Sequence, residues 1–152
     1  MIRKKWPVVF ILLFALILMV AFLFKDKMND FISVKMKEQA GSEVVLSGEA
    51  WVDSLFNYEK NREPYHYSLL EFKSAGCTVC KQMEAELEKI RQSEENRVNV
   101  VVINIMNRNS QNLMKYFGIS AVPTQIILDK TGNEIFRNYG FITAEKLKSR
   151  IE

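Results

Sequence analysis

Residues 7–24 read PVVFILLFALILMVAFLF, a run of 18 positions without one charged or hydrogen-bonding side chain. A small water-soluble core cannot absorb such a segment. A bilayer can, as a helix of ~17–25 residues that pairs its own backbone groups. Arg3, Lys4 and Lys5 stand just before it, and Lys25, Asp26 and Lys27 follow with a smaller net charge. That bias keeps the N-terminus in the cytoplasm and sends the remainder across, with the amphipathic ring of Trp6 at the boundary. A cleaved signal has a shorter apolar stretch of ~7–15 residues and small residues at its end. Here Phe22, Leu23 and Phe24 are bulky, and no Cys follows to carry a lipid. The expected organisation is a basic cytoplasmic segment 1–6, an uncleaved single-pass anchor 7–24 in a plasma membrane of bacterial type, a linker 25–41 and an extracytoplasmic domain 42–152.

Charge narrows the function. The chain has 21 Lys and Arg against 18 Asp and Glu. The excess of three is Arg3, Lys4 and Lys5, so the body is neutral and carries no electrostatic footprint for nucleic acid. Two cysteines in 152 residues also exclude a disulfide-stapled mini-protein.

Along the body, 25–41 is mixed and weakly periodic and reads as a tether, helical in part, that lifts the domain off the membrane. Residues 44–46 suggest a short edge strand, after which Ser47 caps a helix over about 48–60, with Trp51 in its packing. A polar loop ending at Pro64 precedes a strand at 67–72. A helix follows to about Ser93, with Val79, Cys80, Met83, Leu87 and Ile90 on its apolar stripe and Glu84, Glu86, Glu88 and Lys89 on its wet faces. The β-branched run 98–105 predicts a buried central strand. Ser110 is placed to cap a helix over 111–117 that ends at Gly118. Strands at 125–128 and 134–139, joined by Asp129-Lys130-Thr131-Gly132, read as a hairpin. Thr143 caps a final helix. Met83 and Met106 suit core gap-filling. The order β-α-β-α-β-α-β-β-α implies an α/β domain with a mixed sheet covered by helices.

The only cysteines, Cys77 and Cys80, form a C-x-x-C between a predicted strand and the helix that it opens. A helix N-terminus stabilises a thiolate through its free N–H groups and its dipole. Cys77 precedes the first turn and is the outer sulfur. Cys80, one turn in, belongs to the apolar stripe and is the inner one. Unequal thiols suit exchange, in which the outer thiolate attacks a disulfide and the inner thiol resolves the mixed disulfide. Zinc needs two further ligands, and only His66 and carboxylates are on offer.

With these residues in view, the stretch from Tyr67 to Glu152 resembles the thioredoxin superfamily, and including 42–66 the length also fits. The resemblance rests on the C-x-x-C after a strand, the Val122-Pro123-Thr124 triplet, the hairpin with Gly140 and the terminal helix. It implies a thioredoxin fold preceded by one transmembrane helix, with no cofactor beyond a redox-active Cys77–Cys80 disulfide. It implies a cis peptide before Pro123 facing the dithiol, with Val122, Pro123, Thr124 and Gly76 forming the substrate surface. There the Val122 backbone would pair with an extended peptide. Glu71, six residues before Cys77, takes the place of the family's buried acid and would handle the proton of Cys80. The departures are Gly76 where the family usually has Trp, Thr78-Val79 for Gly-Pro, Glu71 for Asp, and Val102 aligned with the acid's Lys partner. They bear on redox potential and substrate surface more than on fold.

The anchor makes the chain similar to membrane-tethered envelope thiol reductases. The expected function is reduction of disulfides in extracytoplasmic proteins, with electrons from a membrane dithiol donor. The alternatives are a thiol oxidase or isomerase of the same fold, or a thioredoxin-fold module that binds without turnover.

Overall fold

A computed structural model describes residues 6–151. The basic residues Arg3, Lys4 and Lys5 and the final Glu152 lie outside that range. The elements run α1 (Trp6–Leu23), α2 (Lys25–Glu38), α3 (Ser42–Phe56), α4 (Tyr58–Asn61), β1 (Tyr67–Lys73), α5 (Thr78–Ser93), β2 (Val98–Asn104), α6 (Gln111–Phe117), β3 (Thr124–Asp129), β4 (Glu134–Tyr139) and α7 (Ala144–Lys148). The apolar run is one helix, α1, with none of its residues buried.

The sheet order is β2-β1-β3-β4. β1 and β2 are parallel, while β1–β3 and β3–β4 are antiparallel. Alternation along β1 sorts the core into two layers. Leu70 and Phe72 pack with Val52, Phe56, Phe117, Ile126 and Leu128 beneath α3 and α6. Leu69 packs with Met83, Leu87, Ile90, Ile127 and Leu147 beneath α5 and α7. The helix ends follow local chemistry. Thr143 accepts a hydrogen bond from the Lys146 amide, and Gly118 closes α6 at φ +60°, in the left-handed region.

Three expectations about the elements need correction. Residues 44–46 are not an edge strand. They lie in α3, because Val44, Gly48, Val52 and Phe56 recur at four-residue spacing and bury one helical face, whereas Leu46 stays exposed. That helix starts at Ser42, not at Ser47, and Trp51 meets Phe56 edge-on at 4.8 Å. β2 is an edge strand, not a central one. Its apolar run serves both faces of the sheet, Val98 and Val100 packing beneath α5 and Val101 and Ile103 beneath α3 and α6, while Val102 is exposed. Residues 25–41, read as a partly helical tether, are helical over Lys25–Glu38, and this α2 also lies against α6.

Single residues also depart from the pattern. Val79 falls off the α5 stripe and is exposed. Glu86, expected on a wet face, is buried, and its carboxylate accepts the Ala144 amide at 2.8 Å, tying α5 to α7. Met106 is exposed rather than core. Ser110 is buried and makes no side-chain cap; a 3₁₀ turn at Arg108–Ser110 leads into α6 instead.

Gly118 holds α2 in place. A Cβ there would run into the carbonyl and hydroxyl of Ser33, the single buried residue of α2. The left-handed backbone alone costs a side chain about 1–2 kcal/mol. Gly118→Ala is therefore expected to lower the urea midpoint of the full chain and to expose 25–41 to protease. An unchanged cleavage pattern at 25–41 would contradict the packing of α2 on Gly118.

Candidate active site

β1 delivers the chain to one end of the sheet, where Ser74–Gly76 turn it into α5. Gly76 sits at φ +78° with open space where a Cβ would be, so nothing crowds the approach to Cys77 from that side. Cys77 is the N-cap of α5, and its sulfur accepts a hydrogen bond from the Cys80 amide at 3.1 Å. The two cysteines form a disulfide with their Cα atoms 5.2 Å apart. Cys77 is half-buried and Cys80 is 2% exposed. The sulfurs are therefore unequal in access, and the outer one lies where amides and the helix dipole stabilise negative charge.

The second strand end at this site belongs to β3. Thr124 pairs with Phe72 on one side and Tyr139 on the other, which sets the loop before Thr124 beside the end of β1. The Val122–Pro123 peptide is cis. Pro123 is buried, and its carbonyl accepts the Gly140 amide at 2.8 Å. Val122 is half-buried and, among the described residues, its backbone has no backbone partner. Thr124 does not offer a contact surface. It is fully buried, and its hydroxyl donates to the Ala121 carbonyl at 2.7 Å, so it shapes the loop from beneath.

Glu71 is 1% exposed and points to the side of the sheet on which Leu69 packs beneath α5, the helix whose first turn contains the buried Cys80. Its Oε2 accepts a hydrogen bond from Gln125 Nε2 at 2.8 Å, while among the described residues Oε1 has no partner. Burial raises its pKa to about 7, against the pull of the Gln125 hydrogen bond and the nearby Lys73 charge. Its β2 neighbour in register is Val102, so no cation from that strand offsets the burial.

Two residues of this site were missed from sequence. Gln125 Oε1 accepts from Asn138 Nδ2 at 2.7 Å, and the same Nδ2 donates to the Gly140 carbonyl at 3.1 Å. A line of hydrogen bonds thus runs from Glu71 through Gln125 and Asn138 to Gly140, whose amide holds Pro123. The only local signal was a Gln at the head of an otherwise apolar strand. Exposed apolar Val79, Met106 and Phe141 stand on segments that reach the same end of the sheet. His66 is exposed, at the far end of β1.

Comparison with known proteins fits this geometry. The family model of the thioredoxin-like domain matches residues 54–152. The chain is 32% identical over 88 residues to the chloroplastic thioredoxin-like protein HCF164 of Oryza sativa subsp. japonica, covering 53% of this chain and 34% of that protein. It is 30% identical over 81 residues to the protein of the same name from Arabidopsis thaliana, covering 53% of this chain and 31% of that one. The match thus spans about a third of these relatives. Among solved structures, a single-substitution mutant of thioredoxin from Halobacterium salinarum shares the fold with a TM-score of 0.53 at 20% identity, covering 66% of this chain and 79% of that one.

Proposed function

Since this chain belongs to the thioredoxin-like domain family, an oxidoreductase family, and carries its cysteine pair as a disulfide, we propose that it is a membrane-tethered thiol–disulfide oxidoreductase that reduces disulfides of extracytoplasmic proteins. The observation that carries this reading is the unequal burial of Cys77 and Cys80 at the start of α5, beside the Pro123 loop.

In the reduced form the Cys77 thiolate attacks a substrate disulfide. One substrate sulfur leaves as a thiolate, and a Cys77–substrate mixed disulfide forms. Cys80 then gives its proton to the Glu71 carboxylate and attacks Cys77, releasing the second substrate sulfur. Two electrons have passed to the substrate and the Cys77–Cys80 disulfide is restored. A further dithiol must reduce it for the next cycle. A membrane protein is the natural donor for a domain on an anchor. Gly76 and Val122 receive the substrate as an extended strand along the loop, with Val79, Met106 and Phe141 as its apolar rim. The anchor reading of α1 rests on its length, its apolarity and the basic residues before it.

The test is insulin reduction by the full chain in detergent micelles with dithiothreitol as donor. Precipitation of the insulin B chain well ahead of dithiothreitol alone is expected. A rate no higher than that background, with Cys77 of the reduced protein slow to alkylate at neutral pH, would instead favour a module that binds without turnover.

A further inference from the structure

Helix α2 has two unlike faces. The inner one is polar and docked. Ser33 is 4% exposed against Gly118. Ser120 Oγ donates to the Asn29 carbonyl at 3.2 Å. Lys37 Nζ binds Glu134 Oε2 at 3.2 Å, and Arg137 grips the same carboxylate with two hydrogen bonds. The outer face is apolar and basic. Phe24, Met28 and Phe31, at successive turns, are 52%, 55% and 64% exposed, and Val34 beside them is 52% exposed. Lys27 stands beside this stripe, and Lys35 continues its line one turn past Phe31. Asp26 and Asp30 fall within about 60° of the Ser33 line by the helical period, toward the domain. The one acid on the outer side, Glu38, is paired with Lys35 at 2.6 Å.

The direction of α2 matters as much as its faces. Its beginning lies by Ser120, three residues before Pro123, and Asp30 and Ser33 face the Tyr139 phenol. Its end lies by Glu134. The helix therefore runs antiparallel to β4, with its N-terminal half at the dithiol end of the sheet. One residue, Phe24, separates it from α1. Asn29 is only about 9 Å along a helix axis from Leu23.

We propose that the outer face of α2 beds in the headgroup layer of an anionic bilayer, so that α2 is a docked strut that holds the domain in one attitude with its dithiol end on the anchor side. This rests on the reading of α1 as a membrane span. The occupant follows from continuity with α1, which delivers α2 to the interface, and from charge, since the outward side is apolar and carries two lysines against the single acid Glu38, which pairs with Lys35. A helix with lysines flanking aromatic and aliphatic residues is the form that lies in an anionic interface. The same face turned to water would leave four large apolar side chains exposed beside the anchor.

The test uses the full chain reconstituted in vesicles of phosphatidylcholine alone or mixed with phosphatidylglycerol. p-Benzoylphenylalanine replaces Phe31 in one sample and Val102, on the opposite edge strand, in another. Illumination is expected to yield lipid adducts at position 31 about tenfold above those at 102 in the mixed vesicles. The yield should fall several-fold in phosphatidylcholine alone and in the Lys27→Glu, Lys35→Glu double variant. Equal adducts at 31 and 102 in protein that floats with the vesicles overturn the strut while leaving α1 as an anchor. Cross-linking at 31 to a second copy, or lipid adducts indifferent to lipid charge, also overturn it. Protein that fails to float overturns the anchor reading, and the strut falls with it. None of these readouts depends on thiol exchange.

Discussion

Cys80→Ser accumulates a covalent complex with substrate, whereas Cys77→Ser forms none and reduces nothing. This outcome follows from burial. Cys77 is the half-open sulfur at the head of α5, and Cys80 is sealed beneath the first turn. Without Cys80 the first exchange proceeds and no internal thiol resolves it. Without Cys77 the remaining sulfur cannot reach a visiting disulfide. Rates in both variants should fall to the background of dithiothreitol, and non-reducing gels of the full chain incubated with a disulfide protein separate them. Equal trapping by the two single variants would contradict the assignment of roles.

The second large effect concerns Glu71. Its folded-state pKa of about 7 lies above the ordinary 4.5 because burial disfavours the charged form. The folded chain therefore keeps a proton that the unfolded chain has lost between those values. The stabilising contribution is complete below about pH 4.5 and is lost as pH rises through 7, on the order of 3 kcal/mol in all. Glu71→Gln removes the charge that must be buried. The oxidised variant is expected to be more stable than the parent at pH 8 by roughly 2–3 kcal/mol, and no more stable at pH 5. Urea titrations of the full chain at both values measure this, and a variant-minus-parent difference that stays flat between them would refute it. Below pH 4.5 both proteins should weaken together. Glu134, paired with Arg137, and Asp129, held by Thr131 and Asn133, have pKa values below their usual range and lose those contacts on protonation. The kinetic signature is separate. With no carboxylate to take the Cys80 proton, resolution of the mixed disulfide should slow about 10²-fold or more, while the initial attack by Cys77 is unaffected. A stability gain without slower resolution would make Glu71 a buried acid with no part in the chemistry.

Much of the region from residue 67 onward was legible because its signals are local. A strand, a C-x-x-C and an amphipathic helix follow one another at 67–93. Gly118 sits one residue past α6, where a left-handed cap belongs. The Asp129–Gly132 turn joins two strands, and Thr143 caps α7. Each depends on a window of a few residues, within which backbone geometry and side-chain spacing are coupled. The failures were of two kinds. Val44-Val45-Leu46 favours a strand by composition, but the four-residue spacing from Val44 to Phe56 outweighs it once Tyr116 offers Gly48 a flat ring to lie against. The docking of α2 on the domain was not legible because its docked face is made of Asn29, Ser33 and Met36 while its large apolar residues point outward, the reverse of the usual pattern.

From the order of residues alone came the apolar span, the thiol pair at a strand-to-helix junction and the succession of elements after residue 67, since hydrophobic period, turn chemistry and capping act between near neighbours. Three-dimensional folding settled what lies between distant ones: that β2 stands at an edge, that α2 clings to the Gly118 turn, and that Gln125 reaches across 54 positions to a buried Glu71. Those contacts depend on which faces meet when the sheet and its helices pack, and the cost of burying a carboxyl group is set by the partners that packing supplies.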